Sequence, residues 1–162
     1  ATSGYIQITV SSGSLPVADA SAVLVVSQNM LNLFDDISKT ESISGKTDYR
    51  CFYIYNGSPS GDIFYNVKVY IKSQPNGADS IKIGIDPVGV TDGSSYPAII
   101  ADENTAPAGV TLSTPSDIGS ALVIGNIDGG ENVAVWIERT VPPATLVATQ
   151  TDIMSIGLEV SI

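Results

Sequence analysis

The acidic side chains are the residues that could carry chemistry here, because the 162-residue chain contains no histidine and one cysteine. Without histidine it offers neither Ser-His-Asp nor Cys-His catalysis, and no histidine-ligated zinc site. Cys51 by itself cannot form an intrachain disulfide or a thiolate metal site. It lies in a strand-like pattern, which predicts a buried and inert thiol. Any reaction chemistry therefore rests on aspartate and glutamate.

Two adjacent acid pairs and several single aspartates in turn-like segments are the candidates: Asp35-Asp36, Asp102-Glu103, Asp86, Asp92, Asp117 and Asp128. Two carboxylates across a cleft could hydrolyse glycosides, and carboxylates with backbone carbonyls could hold Ca²⁺. No Asp-x-Asp-x-Asp run marks a calcium loop, so Asp102 and Glu103 are only weak calcium candidates. We expect solvated turn acids, no catalytic residue and no cofactor, with a structural Ca²⁺ as the alternative.

The net charge of −10 comes from 17 acids and 7 bases, and the bases never cluster along the chain. Binding to a phosphate backbone needs grouped Lys and Arg, so a nucleic-acid partner is not expected. The longest apolar runs, such as residues 22–26, are too short to cross a bilayer, so no membrane partner is expected either. The acid excess favours solubility, with a partner of basic surface as the alternative.

The aromatic residues, seven tyrosines and Trp136, raise the alternative of a carbohydrate-binding module. Aromatic side chains in alternating strands more often pack in a core or an interface, and we expect this for Trp136. Glu138 and Arg139 are neighbours on one predicted strand, so their side chains point to opposite faces. We therefore expect Arg139 to pair across strands, and Arg50 to pair with a turn acid in a structural role.

Alternation of apolar and polar residues predicts strands along most of the chain. Residues 47–85 read as three strands joined by two turns. In the middle one Ile63, Tyr65, Val67, Val69 and Ile71 should face the core. Residues 42–45 are interpreted as a short strand, residues 126–130 as a hairpin turn, and residues 154–162 as the closing strand.

These patterns predict an all-β fold, a β-sandwich of immunoglobulin-like or jelly-roll type with about eight to ten strands. Residues 21–162 would form this single domain, and one long Pro/Gly-rich loop would interrupt it at residues 86–120. Residues 1–20 would form an N-terminal arm that could be exchanged with a partner subunit. The interface candidates in the arm and the loop are Tyr5, Ile6, Ile8, Val10, Tyr96 and Pro97.

Three segments, taken in order, resemble small virion structural proteins of tailed bacteriophages. They are GKTDYRCFYIYN (residues 45–56), ADENTAPAGVTL (residues 101–112), and GNI with AVWIERTVPP (residues 125–127 and 134–143). The likeness covers about residues 38–144. It implies a non-enzymatic capsid decoration (cement) protein that binds the outside of the shell and stabilises it. A neck, tail or fibre-base protein is the alternative.

The resemblance also implies a setting for the protein. Its partner would be the major capsid protein, and its location the virion, after assembly in the bacterial host cytoplasm. Decoration proteins often act as homo-oligomers, among them trimers, which multiply modest contacts into strong avidity.

Overall fold

The computed structural model describes residues 22–29, 33–58, 61–143 and 153–161. They form seven strands and one short helix: β1 (Ala22–Asn29), α1 (Lys39–Ser44), β2 (Lys46–Tyr55), β3 (Phe64–Ser73), β4 (Ser80–Thr91), β5 (Leu122–Ile127), β6 (Asn132–Val141) and β7 (Ile153–Ser161). The all-β prediction is confirmed, whereas the described residues hold seven strands rather than eight to ten. The predicted arm, with its interface candidates Tyr5, Ile6, Ile8 and Val10, lies outside the described residues.

The strands form two antiparallel sheets. Sheet A has the order β1-β7-β3-β5, and sheet B has the order β2-β6-β4. Three ladders are nested about β4, because β3 pairs with β5, β2 with β6 and β1 with β7. Pairing of β3 with β7 joins the β1–β7 and β3–β5 ladders into sheet A. Pairing of β4 with β6 adds β4 to the β2–β6 ladder and completes sheet B. On its outer side β4 also forms one isolated bridge, from Ile83 to Ser113.

The inner faces of the two sheets share a single hydrophobic core. Its fully buried members come from both sheets: Val67 and Val69 of β3, Ile81 and Ile83 of β4, Ile127 of β5, and Val133, Val135 and Ile137 of β6. Burial of each such side chain stabilises the fold by roughly 1.5–3 kcal/mol. The residues that alternate with them in these strands therefore point to the outer faces of the two sheets.

Several connections lead from one sheet to the other. The three strands predicted between residues 47 and 85 exist, but β2 and β4 belong to sheet B while β3 belongs to sheet A. The predicted hairpin at residues 126–130 is also wrong, because β5 lies in sheet A and β6 in sheet B. These turns cross from one sheet to the other. Local alternation reveals a strand and its buried face, but it carries no information on which strand is its neighbour.

A bulge in β3 corrects the predicted core face. The register of β3 shifts between Phe64 and Val67, and Asn66 between them has a φ of 50°. A bulge adds one residue and so reverses the facing of the side chains beyond it. Phe64 is consequently buried at 4% exposure, whereas Tyr65, predicted to face the core, is 43% exposed.

A helical turn replaces the short strand predicted at residues 42–45. The side chain of Ser38 accepts a hydrogen bond from the backbone N–H of Glu41, and the Glu41 carboxylate accepts one from the backbone N–H of Ser38. This reciprocal capping box starts α1, and Gly45 ends it at a φ of 80°. The Ser-x-x-Glu spacing was present in the sequence as a helix signal.

Candidate functional site

Residues 92–121, which connect β4 to β5, form a covering loop over the outer face of sheet B. At one edge of the sheet, the backbone N–H of Tyr49 in β2 donates to Glu103 O at 2.7 Å. At the other edge, Ile83 and Ser113 exchange two backbone hydrogen bonds of 2.9 Å. Because β2 and β4 are the two edge strands of sheet B, the loop reaches both of its exposed edges.

Gly84 of β4 shows how closely the covering loop approaches the sheet. A Cβ atom at Gly84 would lie 2.6 Å from Thr111 O and 2.7 Å from a methyl group of Val110. Only a residue without a side chain fits this contact. On the neighbouring strand Trp136, which pairs with Gly84, is 4% exposed although it points away from the core. The outer face of sheet B is therefore a second buried layer.

A buried carboxylate fixes the start of the covering loop. Asp86 is 2% exposed and accepts hydrogen bonds from three N–H groups. Its Oδ2 atom accepts from Trp136 Nε1 and from the backbone of Ala98, both at 2.9 Å, and its Oδ1 atom accepts from the backbone of Val88 at 3.0 Å. Three N–H donors compensate much of the cost of burying a charge. Asp86 was predicted as a solvated turn acid, and this prediction is wrong.

Beside this anchor the chain presents apolar side chains to solvent. Val88 is 40% exposed, Tyr96 is 80% exposed and Ile99 is 92% exposed. We name these three residues the apolar tip, because Val88 and the neighbour of Ile99, Ala98, bind the same Asp86 carboxylate. Of the predicted interface residues in the loop, Tyr96 is a prominent part of this tip and Pro97 is half-buried beside it. Their role at an interface stays a prediction.

The tip lies within a strongly acidic part of the chain. Residues 83–138 contain no Lys or Arg, and their acids are Asp86, Asp92, Asp102, Glu103, Asp117, Asp128, Glu131 and Glu138. Four of these acids are exposed: Asp92, Asp102, Asp117 and Asp128. Of these, Asp92 lies in the chain between Val88 and Tyr96, and an exposed carboxylate at that position repels acidic partners and attracts basic ones.

The middle of the covering loop is tied to sheet B by Glu103. Its carboxylate accepts hydrogen bonds from the Arg50 guanidinium and, at 3.2 Å, from Lys46 Nζ. The Arg50 hydrogen bond is the main reason that the pKa of Glu103 lies below its ordinary value, and Lys46 lowers the pKa further. The predicted pairing of Arg50 with a loop acid is confirmed.

The neighbouring acid serves a different turn. Asp102 Oδ1 accepts hydrogen bonds from the backbone of Asn104 and from Thr105 Oγ1, both at 2.9 Å. Asp102 and Glu103 thus bind separate protein groups instead of converging on one point. Across the described ranges no three metal-ligating side chains come together, so the calcium hypothesis gains no support there.

A second buried charge closes one end of the core. Arg139 of β6 donates to Asp48 of β2, from Nε to Oδ1 at 3.0 Å and from Nη2 to Oδ2 at 2.6 Å. The guanidinium carbon of Arg139 also lies 4.5 Å from the centre of the Phe34 ring, in cation–π geometry. The predicted cross-strand partner of Arg139 is therefore confirmed, with Asp48 in that role.

Cys51 lies on the outer face of sheet B, opposite Trp136. Burial, reinforced by the nearby Asp86 carboxylate, raises the pKa of its thiol to about 12. A thiol with this pKa is almost entirely protonated at neutral pH and is a poor nucleophile. The sequence predicted a buried and inert thiol. Cys51 is half-buried, and its raised pKa agrees with the inert character.

The aromatic side chains do not line up for sugar stacking. Trp136, Tyr70 and Tyr49 are 4%, 6% and 9% exposed. The well-exposed aromatic rings of the described residues are Tyr65 on β3 and Tyr96 in the covering loop, which belong to different parts of the fold. A carbohydrate-binding module needs several exposed rings along one face, so this geometry argues against that alternative.

Comparisons of the chain with protein-family models, with curated proteins and with solved structures give no match. In the part of the chain that the structure describes, no helix has the length and apolar character needed to cross a membrane.

Proposed function

We propose that this chain is a non-enzymatic structural protein of a tailed-phage virion, a decoration protein that binds the outside of the capsid and stabilises it. The observation that carries the proposal is the covering loop. It is fixed to both edges of sheet B and to the buried Asp86, yet it exposes Tyr96 and Ile99. The ordered sequence resemblance over residues 38–144 supports the same function, since segments of it lie in β2, the covering loop and β6.

The strand order supports the finer proposal of a jelly roll over an immunoglobulin-like fold. A jelly roll arises when one long antiparallel hairpin is rolled up, so that its nested ladders divide between two sheets. The three ladders nested about β4 follow this plan. The bridge from Ile83 to Ser113 lies where a further ladder, between β4 and an eighth strand, would begin. Domains of viral capsids commonly have this architecture.

A rigid loop suits attachment to a shell. Ordering a flexible segment on binding costs roughly 1–2 kcal/mol per residue in backbone entropy, and the covering loop avoids most of that cost because the fold already holds it. Decoration as a homo-oligomer, a trimer among the possible forms, would add avidity from several copies of the same contact. The major capsid protein would be the partner.

Mixing the purified protein with undecorated, expanded heads of the encoding phage tests the proposal. We expect saturable co-sedimentation with the heads and an increase in the temperature at which the heads break open. Purified tails and necks serve as the control surface. Binding to tails or necks instead of heads would favour the alternative of a neck, tail or fibre-base protein. Absence of binding to any virion part would overturn the proposal.

A further inference from the structure

We infer that the apolar tip (Val88, Tyr96 and Ile99) is the docking element, and that it inserts into an apolar pocket of the capsid shell whose rim carries Lys or Arg. Asp86 is the positioning residue that holds the tip in its docking geometry. This inference rests on the proposed function, which supplies the shell as the partner, and it adds the residues that bind and the chemistry of the surface that receives them.

The tip combines exposed side chains with an anchored backbone. Ile99 is 92% exposed and Tyr96 is 80% exposed, the two highest values among the exposed large hydrophobic residues. Between them in the chain, the backbone N–H of Ala98 is held at 2.9 Å by a carboxylate that is itself 2% exposed. Large apolar side chains on a backbone that the fold already fixes are suited to binding, because they bury area without a further loss of backbone freedom.

The anchor of the tip is the Asp86 carboxylate, whose burial costs free energy. Burying a carboxylate is unfavourable, and Asp86 needs three N–H donors, among them Trp136 Nε1, to offset that cost. Two of the donors belong to the segments that carry the tip, at Val88 and Ala98. The Asp86 carboxylate therefore fixes both segments of the tip, Val88 in β4 and residues 96–99 in the covering loop, to the buried layer over sheet B.

The charge near the tip indicates the kind of partner. Among the eight acids of residues 83–138, Asp86 is buried, and Glu103 and Glu138 pair with bases. The exposed acid Asp92 lies in the chain between Val88 and Tyr96, so it gives the tip a negative charge. A receiving surface with Lys or Arg around an apolar pocket would match this pattern, and an acidic surface would be repelled. Aromatic and aliphatic anchors with a charged periphery are the usual composition of such a contact.

A second copy of this chain does not offer that surface. Five of its seven basic residues already form ion pairs with its own acids: Lys46, Arg50, Lys68, Lys82 and Arg139. Two tips facing each other would also bring two acidic segments together. The charge pattern thus favours a different protein, and we assign it to the shell.

The experiment measures binding of the full chain to undecorated, expanded heads by co-sedimentation. We expect Tyr96→Ala and Ile99→Ser each to weaken binding about tenfold or more, as for the central anchors of an interface. Val123→Ser is the matched control, because Val123 is an apolar residue of β5 that is 67% exposed outside the tip. It should change binding by less than about twofold. Circular dichroism and thermal unfolding verify that every variant is folded.

Two further binding measurements test the basic rim of the pocket and the Asp86 anchor. Raising the salt concentration should weaken binding, because a basic rim and an acidic tip attract each other less when they are screened. Asp86→Asn should weaken binding although it leaves the tip side chains unchanged. In the Asp86→Asn background, Tyr96→Ala should then reduce the binding affinity by a smaller factor than it does in the wild type. A purely structural loss of stability would leave the cost of Tyr96→Ala unchanged.

The possible outcomes separate the two proposals. If the wild type binds heads and the tip variants bind equally well, the docking inference is overturned while the proposed function stands. Equal losses for Val123→Ser and for the tip variants would overturn it too, and binding unaffected by salt would overturn the basic rim. If the wild type does not bind heads at all, the proposed function fails, and the docking inference fails with it.

Discussion

The Arg139 guanidinium and the Asp48 carboxylate form a two-point ion pair across β2 and β6, with N···O distances of 3.0 and 2.6 Å. The ladder places the two residues directly opposite each other, and they are 3% and 0% exposed. Phe34, itself 1% exposed, packs over the guanidinium. A buried ion pair packed against an aromatic ring therefore lies at this end of the hydrophobic core.

Removing one member of this pair should strongly destabilise the fold. We expect Arg139→Met or Asp48→Asn to lower the free energy of unfolding by about 3–5 kcal/mol, because each leaves a buried charge without its closest partner. Asp48 would keep only Lys46 Nζ, at 3.5 Å, and Arg139 would keep the Asp35 carbonyl, at 3.1 Å, in place of a carboxylate. Urea unfolding followed by Trp136 fluorescence measures the change. The double variant Asp48→Leu/Arg139→Met should recover part of the loss, since it removes both charges together.

The control for this pair is the more exposed ion pair between Lys68 and Glu159, with an N···O distance of 3.5 Å. We expect Lys68→Met to lower the free energy of unfolding by less than about 1 kcal/mol, because solvent screens an exposed pair. A loss as large as that of Arg139→Met would show that burial does not set the strength of these contacts.

The contact between Gly84 and the covering loop predicts a specific sensitivity to a single methyl group. Gly84→Ala would place Cβ 2.6 Å from Thr111 O, so the loop must shift. We expect a loss of about 1–3 kcal/mol in the free energy of unfolding and faster hydrogen exchange of the Ser113 amide, which bonds Ile83 O at 2.9 Å. Gly119→Ala, in an exposed turn, is the control, because its Cβ would meet only the exposed Asp117 side chain, at 3.2 Å, and no backbone atom. It should change stability by less than about 0.5 kcal/mol. Unchanged exchange at Ser113 in the Gly84 variant would contradict the close packing.

Much of the strand content could be predicted from the sequence, and the arrangement of the strands could not. Alternation identified the strands β2, β3 and β4, because the core imposes a period of two on each strand that packs against it. The same period carries no information on which strand is the neighbour in the sheet. It also gave the wrong facing for Tyr65, since the bulge at Asn66 interrupts the alternation.

The candidate site was predictable only at its surface. Tyr96 and Pro97 were named as interface candidates because they lie in the long Pro/Gly-rich loop, and such loops usually carry a function or an interface. The anchor Asp86 was missed, since a carboxylate before a proline has the local pattern of a turn acid. Its burial depends on the loop returning over sheet B to bring Ala98 to the carboxylate, and no local sequence pattern encodes that contact.

Cys51 should be unreactive in the folded protein. Its pKa of about 12 leaves very little thiolate at pH 8.5, whereas in the unfolded chain the pKa returns to its ordinary value of 9.0. We expect iodoacetamide to alkylate Cys51 at least about a hundredfold more slowly in the native state than in 8 M urea. Mass spectrometry over time gives both rates, and Cys51→Ser is the blank. Equal rates in the two conditions would contradict the burial of this thiol.

The ion pair of Glu103 predicts how the stability of the protein falls in acid. Its pKa is below the ordinary value of 4.5, mainly through the Arg50 hydrogen bond. Ionised Glu103 therefore stabilises the fold above pH 4.5, and this contribution is lost as the pH falls through the folded pKa. We expect the difference in unfolding free energy between wild type and Glu103→Gln to shrink steadily below pH 4.5, as measured by urea unfolding at a series of pH values. Arg50→Met should flatten the same part of the pH profile in part, because Lys46 still pairs with Glu103. Adding Arg50→Met to Glu103→Gln should flatten it no further, because the Glu103 variant already lacks the charged pair with Arg50. A difference that stays constant from pH 6 to pH 3 would show that Glu103 does not fasten the covering loop through its charge.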